Sequence, residues 1–242
     1  MIKIKKAKTI ILCEGASDLA FISLYLIKKY NFVYKKETTF KVNKEKGEYC
    51  ANYTNDKHEV IIFAVGGKDN FNNVYTNYIH RFIISGNNND FLNLVIVIDA
   101  DEDKYSNINS LKLNGLNLIE NERVKNGLMN LYGDEEILIN CFLKIIPEKE
   151  SGALEDLIIK SLVDSHPYIT EESCQFVDAL DKNKVEHLKF ARTIAKVKVG
   201  TIFNIIDPQR TFSSLSEKFE MIDLTSPNIL NTFKFLHSIF VN

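Results

Sequence analysis

The chain has 242 residues, 45% hydrophobic and 26% charged, and its 30 Lys and Arg against 32 Asp and Glu give a formal net charge of −2. This composition is typical of a globular protein with a substantial core, and it excludes a strongly basic nucleic-acid coat protein while leaving room for a local basic face. No segment approaches the ~20 apolar residues of a membrane span, and four widely spaced cysteines without a CxxC pair predict reduced thiols and a cytoplasmic protein.

The first predicted elements form a strand–turn–helix unit. The apolar, β-branched run at 8–13 predicts a buried strand that ends before Glu14 and Gly15. Ser17 and Asp18 are good N-cap candidates for the helix that follows, whose apolar residues recur at helical spacing to about residue 30. Glu14 is therefore expected at the carboxyl end of a buried strand.

The rest of the chain alternates between strand and helix signals. The polar, Lys-rich segment 31–58 is read as an insertion or hairpin, and three further buried strands are predicted at 59–65, 93–99 and 137–146. We expect helices through about residue 84, in the region up to about residue 132, and again from about residue 151.

Strands separated by helices indicate βαβ crossovers. We therefore predict an α/β fold with a mostly parallel sheet and helices on both faces in a domain over 1–165. The segment 166–242, which is mainly helical in pattern, is expected to form a C-terminal extension.

Carboxylates follow two of the predicted strands, at the edge where ligands bind to open parallel sheets. Glu14 follows the first strand, and Asp99, Asp101 and Asp103 follow the strand at 93–99. The spacing of Asp99 and Asp101 places both side chains on one side of an extended backbone. Such acids repel unless a cation lies between them, and oxygen ligands favour Mg²⁺ or Mn²⁺. The structural alternative is that each carboxylate only begins a helix, where the dipole favours it.

A second loop at the same predicted edge carries Gly66, Gly67, Lys68 and Asp69. Gly67 would let the backbone approach a phosphate, and Lys68 would stabilise the charge that develops on it. A simple turn with Asp69 as the helix cap explains the same residues equally well.

The pattern "ILCEGASD" followed by "VIVIDADED" resembles the Toprim domain of topoisomerases, primases and OLD-type nucleases. The resemblance implies a Toprim-like fold over the first domain and a Mg²⁺-dependent site in which Glu14, Asp99 and Asp101 hold metal and Gly15 keeps the backbone clear. It adds Glu155, in "SGALEDLI", as a further metal ligand.

The later segments "KFARTIAKVKVG" and "MIDLTSPNILNTFKFL" bring the chain nearest to standalone relatives of the OLD nucleases. That resemblance implies a nuclease of DNA or RNA, with DNA the favoured partner and a role in phage defence, and is compatible with a homodimer. No GxxxxGK[ST] motif occurs in these 242 residues, so we expect any ATPase partner to be a separate chain. The competing interpretations are a non-catalytic nucleic-acid-binding or recombination-mediator protein and a primase-like nucleotidyltransferase.

A basic run at Lys189, Arg192, Lys196 and Lys198 is the remaining candidate. The first three recur at spacings of three and four, which puts them on one face of a helix that could follow a nucleic-acid backbone. A solvated helix face explains them as well. By resemblance, Lys196 or Lys198 would lie near the metal.

Overall fold

The structure is a computed structural model. It describes residues 7–37, 40–81, 91–101, 113, 116–119, 125–130, 136–147, 151–181 and 184–241. The chain divides into two compact units, which we call the sheet unit (Met1–Ile98 and Tyr105–Ile145) and the helical unit (Asp99–Lys104 and Ile146–Asn242).

Eight strands form one mixed sheet in the order β2-β3-β4-β1-β5-β8-β7-β6. Their bounds are β1 Ala7–Cys13, β2 Val33–Lys35, β3 Tyr49–Thr54, β4 His58–Ala64, β5 Phe91–Asp99, β6 Leu116–Ile119, β7 Lys125–Asn130 and β8 Glu136–Ile146. The four buried strands that the sequence predicts correspond to β1, β4, β5 and β8.

The centre of the sheet is parallel, and its outer strands are antiparallel. β1 pairs in parallel with β4 on one side and with β5 on the other, with Cys13 opposite both Ala64 and Val97. β2 and β3 extend the β4 edge as antiparallel strands, so segment 31–58 contributes a hairpin. The α/β class is confirmed, with the predicted parallel pairing at the centre of the sheet.

A ladder of polar side chains crosses the central strands. The Nδ2 of Asn93 on β5 donates to Thr9 Oγ1 on β1 at 3.3 Å, and the Nδ2 of the exposed Asn140 on β8 donates to Asn93 Oδ1 at 3.2 Å. Thr9 and Asn93 are buried, and because buried polar side chains are costly without partners, their hydrogen bond favours one register of β1 and β5.

Helix α1 (Ala16–Tyr30) begins two or three residues earlier than the predicted caps would place it. Gly15 is the N-cap residue, and Asp18 is the third residue of the helix, where its Oδ2 accepts the Gly15 N–H at 2.8 Å. The prediction that Ser17 or Asp18 is the N-cap is therefore wrong, although Asp18 still satisfies one of the open N–H groups. Asn31, with φ of 54°, ends the helix, and α1 packs against β3 and β4.

After β4 the chain turns at Gly66 and Gly67 and enters a short 3-10 helix at Lys68–Asn70. Helix α2 (Phe71–Val74) follows and continues as a π-helical segment at Tyr75–His80. The predicted helix is present to residue 81, and its expected end near residue 84 lies outside the described residues.

The helical region expected up to about residue 132 is wrong where the structure describes it. Its described segments are the strands β6 and β7, which pair antiparallel with each other, and β7 pairs antiparallel with β8. Sheet pairing overrides local helical preference here, because a strand pair can extend the outer edge of β8. Segments that are apolar but short, such as 116–119, carry little periodicity with which to distinguish the two structures.

The helical unit contains six described α-helices, and the predicted C-terminal helices are confirmed. They are α3 Leu154–Ser165, α4 Pro167–Asp178, α5 Ala191–Ile206, α6 Leu215–Phe219, α7 Pro227–Phe233 and α8 Phe235–Phe240. α3 packs against α4, α5 and α7, which assigns it to the helical unit, whereas the predicted boundary at 165 groups it with the sheet. No helix within the described segments is long and apolar enough to cross a membrane.

Candidate functional site

The end of β1 is fixed through its main chain. Glu14 follows the last residue of β1 and is only 1% exposed. Its carbonyl oxygen accepts the N–H groups of Gly66 at 3.1 Å and Gly67 at 2.9 Å, while the next residue, Gly15, donates to Asp18. The glycine turn after β4 and the start of α1 therefore set the position of Glu14 together.

The backbone at positions 66 and 67 requires glycine, for a different reason at each position. Gly66 has a φ of 81°, and a Cβ there would overlap the main-chain oxygen of Lys46. Gly67 has a φ of 115° and a ψ of 160°, a conformation that only glycine adopts readily, but a Cβ there would meet nothing within 4 Å. Gly67 therefore leaves open space beside the backbone, and Lys68 follows it in a partly exposed position.

A buried carboxylate that the sequence analysis did not consider lies in the same unit. Glu48 is 1% exposed, and its Oε2 accepts the Asn43 N–H at 2.9 Å and the Tyr78 hydroxyl at 3.2 Å. Burial and the neighbouring Glu48 carboxylate raise the pKa of Tyr78. These bonds attach the segment before β3 to the helix after β4, which gives Glu48 a structural role that no sequence pattern indicates.

Among the described acids of the helical unit, Asp99 is the most enclosed. It is 3% exposed, its Oδ1 accepts the N–H of Leu154 at 3.2 Å, and its Oδ2 lies 3.2 Å from Nη2 of Arg192. Leu154 is the first residue of α3, so the carboxylate lies at the positive end of that helix. An amide dipole and a guanidinium thus both stabilise the charge of Asp99.

Glu155 is the second buried acid of this unit, with 6% exposure, and it follows Leu154 directly in the chain. Its Oε1 lies 4.0 Å from Nζ of Lys196. Arg192 and Lys196 are one turn apart on α5, so neighbouring positions of one helix face supply a cation to each of the two buried carboxylates. We call Asp99, Glu155, Arg192 and Lys196 the charge cluster.

The backbone at Asp101 differs from the extended conformation that the sequence predicts. β5 ends at Asp99, and Asp101 has a φ of 49°, so the extended backbone that would put both side chains on one side does not continue to Asp101. The N–H and carbonyl of Asp101 instead exchange two 2.8 Å hydrogen bonds with Gly152. Asp101 therefore connects the end of β5 to the turn before α3, and Asp103 lies outside the described residues.

The four residues of the basic run lie in three different environments. Lys189 belongs to the 3-10 turn Glu186–Lys189 ahead of α5, so the predicted face of three cations on one helix is reduced to Arg192 and Lys196. Lys198 pairs with Asp178 of α4 at 2.7 Å, so of the two lysines expected near the metal it is Lys196 that lies beside a candidate ligand, Glu155. The pairing of Arg192 with Asp99 was missed, because nothing in a sequence pattern links residues this far apart in the chain.

The charge cluster has part of the chemistry of a divalent metal site. Asp99 and Glu155 are buried oxygen donors of the kind that Mg²⁺ prefers, and the two positive charges beside them equal the charge of one such ion. No group of three or more His, Cys, Asp or Glu side chains in the described part of the chain is arranged to hold a metal. The donor type therefore fits a metal, while the present arrangement uses protein cations for the same compensation.

The chain belongs to the family described as "Protein of unknown function (DUF3226)", which matches residues 8–241. Among solved structures, the fold is similar to the "Crystal structure of hypothetical protein PH0156 from Pyrococcus horikoshii OT3". That match has a TM-score of 0.50 and 17% identity, and it covers 98% of this chain and 100% of the other. A comparison with curated proteins gave no match.

Proposed function

We propose that the chain is a Mg²⁺- or Mn²⁺-dependent nuclease that hydrolyses phosphodiester bonds, with DNA preferred over RNA. One observation carries the proposal: two buried acids, Glu14 and Asp99, lie at the carboxyl ends of the neighbouring parallel strands β1 and β5. Glu14 follows Cys13, and Asp99 is two residues beyond Val97, the register partner of Cys13. Ligand sites of open α/β sheets occur at this edge.

In this proposal Glu14 and Asp99 are the principal metal ligands, and Asp101, Asp103 and Glu155 are the further candidates. The chemistry that a bound divalent cation supplies is activation of a water molecule and neutralisation of charge at phosphorus. Gly15 and Gly67 keep the main chain clear where a phosphate approaches, because neither adds a side chain there.

In the proposed hydrolysis, cationic side chains contact the phosphate. Arg192 and Lys196 are half-exposed residues of the charge cluster, so their charged groups reach both a buried carboxylate and solvent. Lys68 follows the open backbone at Gly67 and is a third candidate for contact with phosphate. Positive groups positioned at a phosphate stabilise the charge that develops during hydrolysis.

The biological setting is proposed from the Toprim resemblance. The protein would act in the cytoplasm, in phage defence, with a separate ATPase chain and in a form that allows a homodimer. Four free thiols are compatible with a reducing compartment.

A non-catalytic nucleic-acid-binding protein is the second candidate, and one observation favours it. Asp99 and Glu155 are already paired with Arg192 and Lys196, so their charges are compensated without a metal. In that case a Toprim-like scaffold would bind nucleic acid through exposed cations and would not turn over substrate.

A cleavage assay separates the two candidates. The full chain is incubated with plasmid, single-stranded DNA and structured RNA in Mg²⁺, Mn²⁺ or EDTA. We expect metal-dependent cleavage that falls at least about 100-fold in Glu14→Gln and Asp99→Asn, which is the scale on which catalytic groups contribute.

Asp178→Asn is the matched control, because Asp178, like Asp99, is paired with a cation of α5 but is exposed. It should cleave like the wild-type protein. Binding without cleavage in every metal would contradict the nuclease and support the second candidate, and primer formation from nucleotides would indicate a primase-like enzyme.

A further inference from the structure

Arg192 lies against the Asp99 carboxylate, which the proposed function assigns to a metal. Oδ1 of Asp99 accepts the Leu154 N–H at 3.2 Å, and Oδ2 lies 3.2 Å from Nη2 of Arg192. Both carboxylate oxygens therefore already face positive charge. A metal that binds Asp99 has to compete with the guanidinium for the same oxygen.

The two members of this ion pair differ in their freedom to move. The Asp99 carboxylate is buried at the start of α3, whereas the Arg192 side chain is 41% exposed near the first turn of α5. A long arginine side chain can keep its aliphatic part on the protein while its charged end turns toward solvent. Separation of the pair is therefore expected to move Arg192 and leave Asp99 in place.

We propose that Arg192 is an exchanging cation: it compensates Asp99 in the metal-free protein and passes to the substrate phosphate when metal binds. This inference rests on the proposed nuclease function. A guanidinium binds phosphate oxygens in the same forked geometry that it uses for carboxylates, so one side chain serves both partners. Arg192 thereby links metal binding to phosphate binding.

The exchange predicts two effects of opposite sign for one substitution. Loss of Arg192 removes the competitor of the metal, so metal should bind more tightly. It also removes a phosphate ligand, so nucleic acid should bind more weakly once metal is present. An ion pair with a purely structural role would weaken folding and would not tighten metal binding.

The test measures Mn²⁺ binding to the full chain by calorimetry, without nucleic acid, in wild type and Arg192→Gln. We expect the Kd for Mn²⁺ to fall about tenfold, which corresponds to about 1.4 kcal/mol of ion pairing that the metal no longer has to displace. Binding of a short phosphorothioate oligonucleotide at saturating Mn²⁺ should weaken by about tenfold in the same variant.

Two further variants keep the test decisive. Arg192→Met retains the apolar part of the side chain and should reproduce both effects, and circular dichroism verifies that each variant is folded. Lys198→Gln removes the same charge from the same helix, but its partner is Asp178. Its Mn²⁺ affinity should stay within about twofold of wild type, because only the screened, long-range field changes.

Mn²⁺ affinity that is unchanged or weaker in both Arg192 variants overturns the exchange. The nuclease proposal survives that result if Asp99→Asn abolishes Mn²⁺ binding. Equal Mn²⁺ binding by wild type and Asp99→Asn overturns the exchange and the proposed metal site together. Tight Mn²⁺ binding that appears only when Arg192 is replaced also overturns the exchange, because the wild-type ion pair would then exclude the metal.

Discussion

The starts of helices α1 and α3 share the same N-terminal hydrogen bond and differ in how the neighbouring acids are held. In each helix the residue before the first turn donates its N–H to an aspartate three positions later at 2.8 Å, from Gly15 to Asp18 and from Ala153 to Asp156. Beside α1, the main-chain carbonyl of Glu14 accepts N–H groups from the glycine turn after β4. Beside α3, Asp99 and Glu155 face cations of α5 through their side chains.

The two regions should therefore tolerate different substitutions. The region of Glu14 depends on backbone conformations that only glycine adopts easily, so added side-chain atoms should damage it. The charge cluster depends on a balance of charges, so neutral substitutions of the same shape should damage it.

Gly66→Ala should cause the largest loss, about 3–4 kcal/mol, since it combines an unfavourable φ with a clash against main-chain atoms. The obstacle is the carbonyl of Lys46, which cannot move aside like a side chain. Gly67→Ala is the matched control and should lose only about 1–2 kcal/mol, because it meets strain without a clash. Urea denaturation measures both, and equal losses would show that the approach of Lys46 does not set the requirement for glycine.

Asp99→Asn should lower the stability by about 1–3 kcal/mol, because it keeps an acceptor for the Leu154 N–H but removes the charge that Arg192 faces. The half-exposed position of Arg192 keeps this loss below that of a fully buried pair. Because Asp99 is buried, the loss should persist in about 1 M salt, where exposed pairs are screened. A loss that disappears in high salt would mean that the pair behaves as an exposed one.

Asp18→Ala and Asp156→Ala should each cost about 1 kcal/mol, since each removes one acceptor from a helix start and a favourable charge from its first turn. The two losses should be similar, because both hydrogen bonds are 2.8 Å long. Thermal unfolding of the two variants gives the comparison. A loss at one helix only would show that the shared geometry does not carry equal energy in the two regions.

Lys198→Gln should have the smallest effect, below about 1 kcal/mol, because its ion pair with Asp178 lies near the surface. The same urea experiment measures it. A loss as large as that of Asp99→Asn would remove the distinction between the charge cluster and an ordinary ion pair on the same helix.

The strands that carry Glu14 and Asp99 could be predicted from the sequence, because buried runs such as 8–13 and 93–99 are apolar, short and bounded by polar residues. The strands at 116–119 and 125–130 could not, because pairing along the sheet decides their conformation and leaves no periodic trace. The backbone at Asp101 turns into a left-handed conformation, which two aspartates with one residue between them do not reveal.

The sequence likewise indicates only some residues of the candidate site. Glu14, Asp99 and Glu155 stand out in the sequence as acids next to strands or helix starts. The partners Arg192 and Lys196 become specific only through packing in the helical unit, where α5 lies against α3. A basic run in a sequence predicts a helix face but does not say which acids that face will meet.

A Mn²⁺ soak of crystals of the full chain, read by anomalous diffraction, shows whether Glu14 and Asp99 hold a metal together. We expect a Mn²⁺ peak with Glu14 and Asp99 carboxylate oxygens at about 2.0–2.2 Å, the ligand distance of small divalent cations. Ordered Glu14 and Asp99 side chains without a peak at saturating Mn²⁺, with Arg192 still on Asp99, would contradict it.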